Sequence, residues 1–157
     1  MRASVCVHVD APPLEVFALV SDVTNTGRFS PETFEAEWLG GATAPAVGAR
    51  FRGHVRRNSR RWLVYWTNCT ITECVPGRTF AFKVDAPRGR SFVHWRYDLE
   101  PSAGGTDLTE SFELGDVAGT GLYAALAGRS RTRVNERNMR ETLERIKVAA
   151  EQAHGPR

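Results

Sequence analysis

In the segment TDLTESFEL, Leu108, Glu110 and Phe112 share one side of a two-residue alternation, which sets a carboxylate on an otherwise apolar strand face. An ionised carboxylate without a partner in a low-dielectric interior costs several kcal/mol, so such a group is paired, hydrated or held protonated. A carboxyl with raised proton affinity is what general acid or base chemistry near neutral pH requires. Glu110 is therefore the candidate catalytic and ligand-orienting residue. The competing reading makes it an exposed edge position, or the ion-pair partner of Arg96 or another inward arginine.

Large rings recur at alternate positions nearby: Trp62 and Trp66 on one strand face, Phe80 and Phe82 on another, Trp95 and Tyr97 on a third. Such rings bury much area, and Trp and Tyr also carry a polar handle that needs a partner. An apolar ligand pocket with a few convergent polar groups would use these residues, and so would an ordinary aromatic core. Asn68 and Asn135 are the polar positions that could meet a ligand, although a structural contact serves Asn135 equally well.

Metal and cofactor chemistry find little support. Cys6, Cys69 and Cys74 show no CxxC spacing, and His8, His54, His94 and His154 are scattered, so no metal site and no cofactor are expected. No nucleophile and base stand out as a pair.

These side chains need a scaffold. Ser4 to Asp10 alternates, with Val5, Val7 and Val9 on one face, as a half-buried strand does. Pro12 and Pro13 then fit only the first turn of a helix whose apolar stripe is Val16, Phe17 and Val20. Asp22 to Pro31 reads as a break followed by a short second helix. Strands follow at Phe34–Leu39, Ala49–Arg57, Trp62–Val75, Thr79–Asp85, Phe92–Glu100 and Asp107–Leu114. Turn residues separate them: Gly40 and Gly41, Asn58 and Ser59, Pro76 and Gly77, Pro87 to Gly89, and Pro101 to Gly105. Connections this short force antiparallel neighbours. From about Gly121 the period becomes helical, through Leu122, Ala125, Leu126, Met139, Leu143, Ile146 and Ala150, which predicts one long helix with a kink possible near Gly128. Its stripe through Asn135, Met139 and Leu143 should face the sheet. The fold class is α+β: a curved antiparallel sheet around a long C-terminal helix. One helix about 10 Å wide covers only a few strands, so a gap is expected beneath it.

The 157 residues suit one domain, 1–157. No apolar run approaches the ~20 residues of a bilayer span, and the alternating start MRASVCVHVDAPP lacks the apolar core of a signal peptide, so a cytoplasmic protein without membrane insertion is expected. The net charge of +3 comes mostly from arginine, Lys83 and Lys147 being the lysines. The densest cluster, HVRRNSRRW at His54 to Trp62, could meet phosphates or an anionic surface, or form a solvated hairpin tip across Arg56–Arg61. A small apolar molecule is the expected partner and nucleic acid is not, while an oligomer is left open.

Taken together, APPLEVFALVSD, RFSP, EAEWLGG, VPGRTFAF, HWRYDLEPSAGGTDLTESFEL and TLERIK resemble the polyketide cyclase/dehydrase branch of the START-like superfamily, the helix-grip or birch-pollen-allergen fold. The resemblance spans nearly the whole chain. It implies a seven-stranded antiparallel sheet, two small helices after the first strand, and a long C-terminal helix over a hydrophobic cavity. It also implies Trp95 and Tyr97, in HWRY, as cavity lining, whereas the central strand around Trp62, Val64, Trp66 and Asn68 lacks the arginine of the aromatase/cyclases. The LTES segment is similar to that of abscisic-acid receptors, whose matching Glu lines the ligand cavity.

Two functions follow as expectations. In the first, the cavity binds a polyketide-, fatty-acyl- or isoprenoid-like molecule through Trp66, Asn68, Phe80, Phe82, Trp95, Tyr97, Glu110, Phe112, Asn135 and Met139. In the second, Glu110 acts as general acid or base on a carbonyl compound, with Tyr97 or the Trp66 N–H holding the developing oxyanion.

Overall fold

The computed structural model describes residues 2–56, 63–115 and 120–155, with the side chains of 120–131 excepted. The chain begins with β1 (Arg2–Val9), whose Val5, Val7 and Val9 are buried as their alternation predicts. Helix α1 (Pro13–Ser21) opens on a proline, where an N–H would have had no intrahelical acceptor. It ends at Asp22, whose carboxylate accepts the Thr24 N–H at 3.0 Å and starts a single 3₁₀ turn over Val23–Asn25. A one-turn α2 (Thr26–Phe29) follows.

Six strands come next: β2 (Thr33–Leu39), β3 (Arg50–Arg56), β4 (Val64–Val75), β5 (Thr79–Asp85), β6 (Ser91–Ser102) and β7 (Gly105–Leu114). All pairings are antiparallel, in one seven-stranded sheet of order β1-β7-β6-β5-β4-β3-β2. The sequence assigned Pro101 to Gly105 to a loop, but β6 runs on to Ser102 and pairs Pro101 with Thr106. The connection shrinks to Ala103 and Gly104, with φ of +44° and +78°, a two-residue hairpin turn whose twist matches the flanking strands. Helix α3 (Thr120–His154) begins one residue before the expected start. The side chains of Leu122, Ala125, Leu126 and Gly128, like the hairpin residues 57–62 that include Trp62, lie outside the described residues.

Strand parity divides the sheet into two faces. The inner face carries Val5 and Val7 of β1, Phe51 of β3, Cys69 and Ile71 of β4, Phe80 and Phe82 of β5, Trp95 and Tyr97 of β6, and Leu108, Glu110 and Phe112 of β7. Phe80, Ile71 and Leu108 are fully buried, each contributing roughly 1.5–3 kcal/mol by removal from water. Helix α3 turns Met139, Leu143, Ile146 and Ala150 to this core and packs against β1, α1 and α2.

A polar clasp fixes that packing. The Lys147 ammonium donates to the His8 carbonyl at 2.6 Å and to Glu151 Oε1 at 2.7 Å, and the same oxygen accepts the Asp10 N–H at 2.9 Å. His8 also pairs with Asp107, its cross-strand neighbour, at 2.7 Å. The helix thus lies over the β1–β7 side of the sheet, and its grip there leaves space over the strands farther along.

Candidate functional site

That space is a cavity of about 860 Å³ between the sheet and α3, within the range that holds a drug-sized ligand. Phe51, Phe80, Phe82, Val84, Trp95 and Ile146 give it an apolar wall. Phe51 and Phe82 meet edge to face with centroids 5.1 Å apart, so these rings brace one another across β3 to β5. Polar atoms enter from two sides: Tyr97 and Glu110 from the sheet, and Asn135, Asn138 and Thr142 from successive turns of α3.

Glu110 is 4% exposed and sits where the alternation Leu108-Glu110-Phe112 places it. Its ladder neighbours are Tyr97 on β6 and Val5 on β1. The Tyr97 hydroxyl donates to Glu110 Oε1 at 2.9 Å, and Oε2 is buried without a hydrogen-bond partner among the described residues. Burial raises the carboxyl pKa to about 8, the hydrogen bond from Tyr97 opposing it only in part. The acid is therefore mostly protonated at neutral pH. Burial, and then the neighbouring Glu110 charge, push the Tyr97 phenol well above its ordinary value. Asn138 Oδ1 is a second buried oxygen without a partner among the described residues.

Arg96, the cation considered for Glu110, points to the other face. Its Nε donates to Asp98 at 2.8 Å and its Nη1 to Glu73 at 2.5 Å, and these two acids raise its pKa. Residues 96 and 97 necessarily project on opposite sides of β6, so the partner of Glu110 is a phenol and no ion pair forms with Arg96.

The other proposed lining residues divide. Phe80, Phe82, Trp95, Tyr97, Glu110, Asn135 and Met139 border the cavity. Phe112 is buried beside Trp95 on the same face, centroids 5.4 Å apart, and does not border the cavity itself. Trp66 and Asn68 border the cavity along β4, but their side chains have the parity of the outer face. The Trp66 ring is 41% exposed, stacked on His54 at 4.2 Å, with the Arg52 guanidinium 4.3 Å from its centroid. Inward from β4 come Tyr65, Thr67 and Cys69. Aromatic content does not settle the phase of this strand, since Tyr65 and Trp66 lie on opposite faces; the buried Cys69 and Ile71 do. Asn138 and Thr142 were not singled out, although each lies within one turn of the Asn135–Met139 stripe and could have been found from it.

Cys69 is the thiol on the cavity wall, and burial pushes its pKa up to about 12, which leaves it a poor nucleophile. Among the described residues no group of three His, Cys, Asp or Glu side chains could hold a metal ion. No helix among them is long and apolar enough to cross a membrane. The arginines at 57, 60 and 61 lie outside the described residues, while Arg56, exposed at the end of β3, sits 4.8 Å above the Phe34 ring.

Residues 1–151 match a family model described as polyketide cyclase / dehydrase and lipid transport. No curated protein matches the sequence significantly. Among solved structures, the di-domain ARO/CYC StfQ from the steffimycin biosynthetic pathway is similar at a TM-score of 0.75 and 14% identity, over 99% of this chain and 52% of that one. A protein of Thermus thermophilus gives 0.74 at 13% identity, covering 99% of this chain and 100% of that one. A START superfamily protein of Mycobacterium smegmatis gives 0.73 at 13%, covering 97% and 98%. At such identities the likeness is one of fold.

Proposed function

The chain belongs to the polyketide cyclase / dehydrase and lipid transport family, and from that footing we propose that it acts as one ligand-binding domain. It encloses a small, largely apolar molecule of polyketide, fatty-acyl or isoprenoid type between sheet and C-terminal helix. The observation that carries this reading is Glu110: a carboxyl 4% exposed on the cavity wall, one oxygen bonded to Tyr97 and the other without a protein partner among the described residues. A buried polar atom left unsatisfied costs about 1–3 kcal/mol, and a ligand that meets it recovers that cost. The aromatic wall supplies the affinity and the acid supplies the orientation.

Binding is favoured over catalysis because Glu110 has no adjacent base or nucleophile among the described residues. The thiol of Cys69 stays protonated, and no histidine or lysine among those residues borders the cavity. A cyclase or dehydrase is the second reading, and the raised pKa of Glu110 is what supports it: near 8, the group can donate a proton at neutral pH and take it back. The likeness to an ARO/CYC structure is in keeping with it.

Native mass spectrometry of the isolated protein tests the binding reading, which expects a small-molecule adduct lost on organic extraction. Glu110→Gln then separates the two readings. A binder keeps affinity for the extracted compound within a few-fold, whereas an enzyme that uses the acid loses turnover.

A further inference from the structure

We propose that the cavity selects a neutral ligand ending in a hydrogen-bond acceptor, a carbonyl, over a carboxylate or an ammonium of equal chain length, because the Glu110–Tyr97 pair offers it one O–H. This rests on the reading of the cavity as a ligand site and adds the chemistry of the head group.

The inference comes from counting protons. The neutral pair has two O–H groups, those of the phenol and the carboxyl, and the contact of 2.9 Å between Tyr97 Oη and Glu110 Oε1 uses one of them. With Tyr97 donating to Oε1, the carboxyl proton lies on Oε2, the oxygen that is buried and without a partner among the described residues. Tyr97 is thus a positioning residue that decides which oxygen keeps the carboxyl proton as a free donor. Once Glu110 ionises, the Tyr97 proton remains engaged and Oε2 can only accept.

The surroundings of the acid point the same way. Across the ladder β1 presents Val5 and β6 presents Tyr97, and α3 borders the cavity with Asn135, Asn138, Met139, Thr142 and Ile146; of these Tyr97 is the one titratable group. Among the described residues the charged ones elsewhere on the wall are Asp22, Glu32, Asp85 and Arg50. The proton affinity of Glu110 is raised by burial, with the Tyr97 hydrogen bond opposing it. Arg50 is exposed and alternates with the inward Phe51, so its guanidinium does not share the face of the acid. A carboxylate head would enter a buried site without a cation among the described residues, and an ammonium would find an acceptor in Oε2 only once the carboxyl proton had been released to solvent, which buries an ion pair at high desolvation cost. A carbonyl needs neither.

The test measures displacement of diphenylhexatriene, an apolar dye without a head group, by methyl nonyl ketone, undecanoate and undecylamine at pH 6.5 and 9.5. At pH 6.5 the ketone should bind at least about ten-fold more tightly than the other two. Its affinity should fall at least about four-fold by pH 9.5, as the protonated pair is depleted. Glu110→Gln, whose amide keeps a donor at every pH, should flatten that dependence. Tyr97→Phe should move its midpoint to higher pH, a shift that loss of packing alone would not produce. The proposal is overturned if undecanoate or undecylamine binds as tightly as the ketone at pH 6.5, or if ketone binding to the parent protein is flat with pH. Failure of the dye and all three probes to bind would remove the cavity reading with it, whereas dye binding without head-group preference removes this inference alone.

Discussion

Glu110 and Tyr97 are directly opposed partners in the β6–β7 ladder, so their hydroxyl–carboxyl contact is a product of sheet register. A slip of one residue would send the carboxyl to the outer face and set Arg96 or Asp98 in the place of Tyr97. The two-residue turn at Ala103–Gly104 prevents that slip by fixing Ser102 opposite Gly105. The buried acid of the cavity is therefore positioned by the hairpin that opens its own strand.

Burial of Glu110 has a cost that depends on pH. Its folded pKa, about 8, exceeds the ordinary 4.5, so the folded state holds a proton that the unfolded chain has released between those values. The stabilisation associated with that proton is fully present below about 4.5, falls as pH rises, and is gone once pH passes about 8. Glu110→Gln should accordingly melt higher than the parent, by a margin that widens from about pH 5 to about pH 8 and then levels. Thermal melts across that range give the answer, and a margin that does not vary with pH would contradict it.

Trp66 and Trp95 should separate cleanly. Trp66 stacks on His54 outside the sheet, an aromatic cross-strand pair of a kind worth about 1 kcal/mol. Trp66→Ala should cost about that much in urea denaturation and leave diphenylhexatriene affinity within about two-fold. Trp95→Ala removes a cavity wall and should change the same affinity about five-fold or more.

This contrast marks where the sequence was legible. The inward placement of Glu110 followed from Leu108 and Phe112, and the helix face from the spacing of Asn135, Met139 and Leu143, because in each case a run of apolar residues fixed the phase. In β4 no such run exists near the rings: Tyr65 and Trp66 occupy both parities, and the anchors Cys69 and Ile71 lie several residues further on. Tyr97 was expected in the wall, but its bond to Glu110 depends on pairing between two strands, which no single-strand pattern encodes. Asn138 was passed over because a polar residue beside a helix stripe looks solvated until the opposing surface is known.

His8 offers a test of the clasp that seats α3. The hydrogen bond to Asp107, opposed by desolvation and helped by the charges of Asp107 and Asp10, raises its pKa above 6.5, and His8 in turn holds the Asp107 pKa below 3.8. The His8 contribution to stability is thus complete below 6.5 and lost as pH rises through its raised folded value. That of Asp107 is present above 3.8 and lost as pH falls through its lowered one. In an NMR titration the His8 midpoint should lie above 6.5 and drop in Asp107→Asn more than in Asp10→Asn. Equal drops would contradict the assignment.

Gly105 stands where β7 leaves the turn, and a Cβ there would lie 2.2 Å from the Val9 carbonyl oxygen, a backbone atom that cannot step aside. Gly105→Ala should cost on the order of 2 kcal/mol in urea denaturation, by parting the ends of β1 and β7. A change under about 0.5 kcal/mol would show that this approach is not close in solution.

The cavity itself is tested most directly by filling it. Val84 projects inward from β5 onto the cavity wall, opposite Cys69 and Val93. Fluorescence titration of diphenylhexatriene should give saturable one-to-one binding to the parent protein and at least about a ten-fold loss of affinity in a folded Val84→Trp variant. Equal binding by the two, or none by the parent, would mean that sheet and helix do not enclose a ligand site.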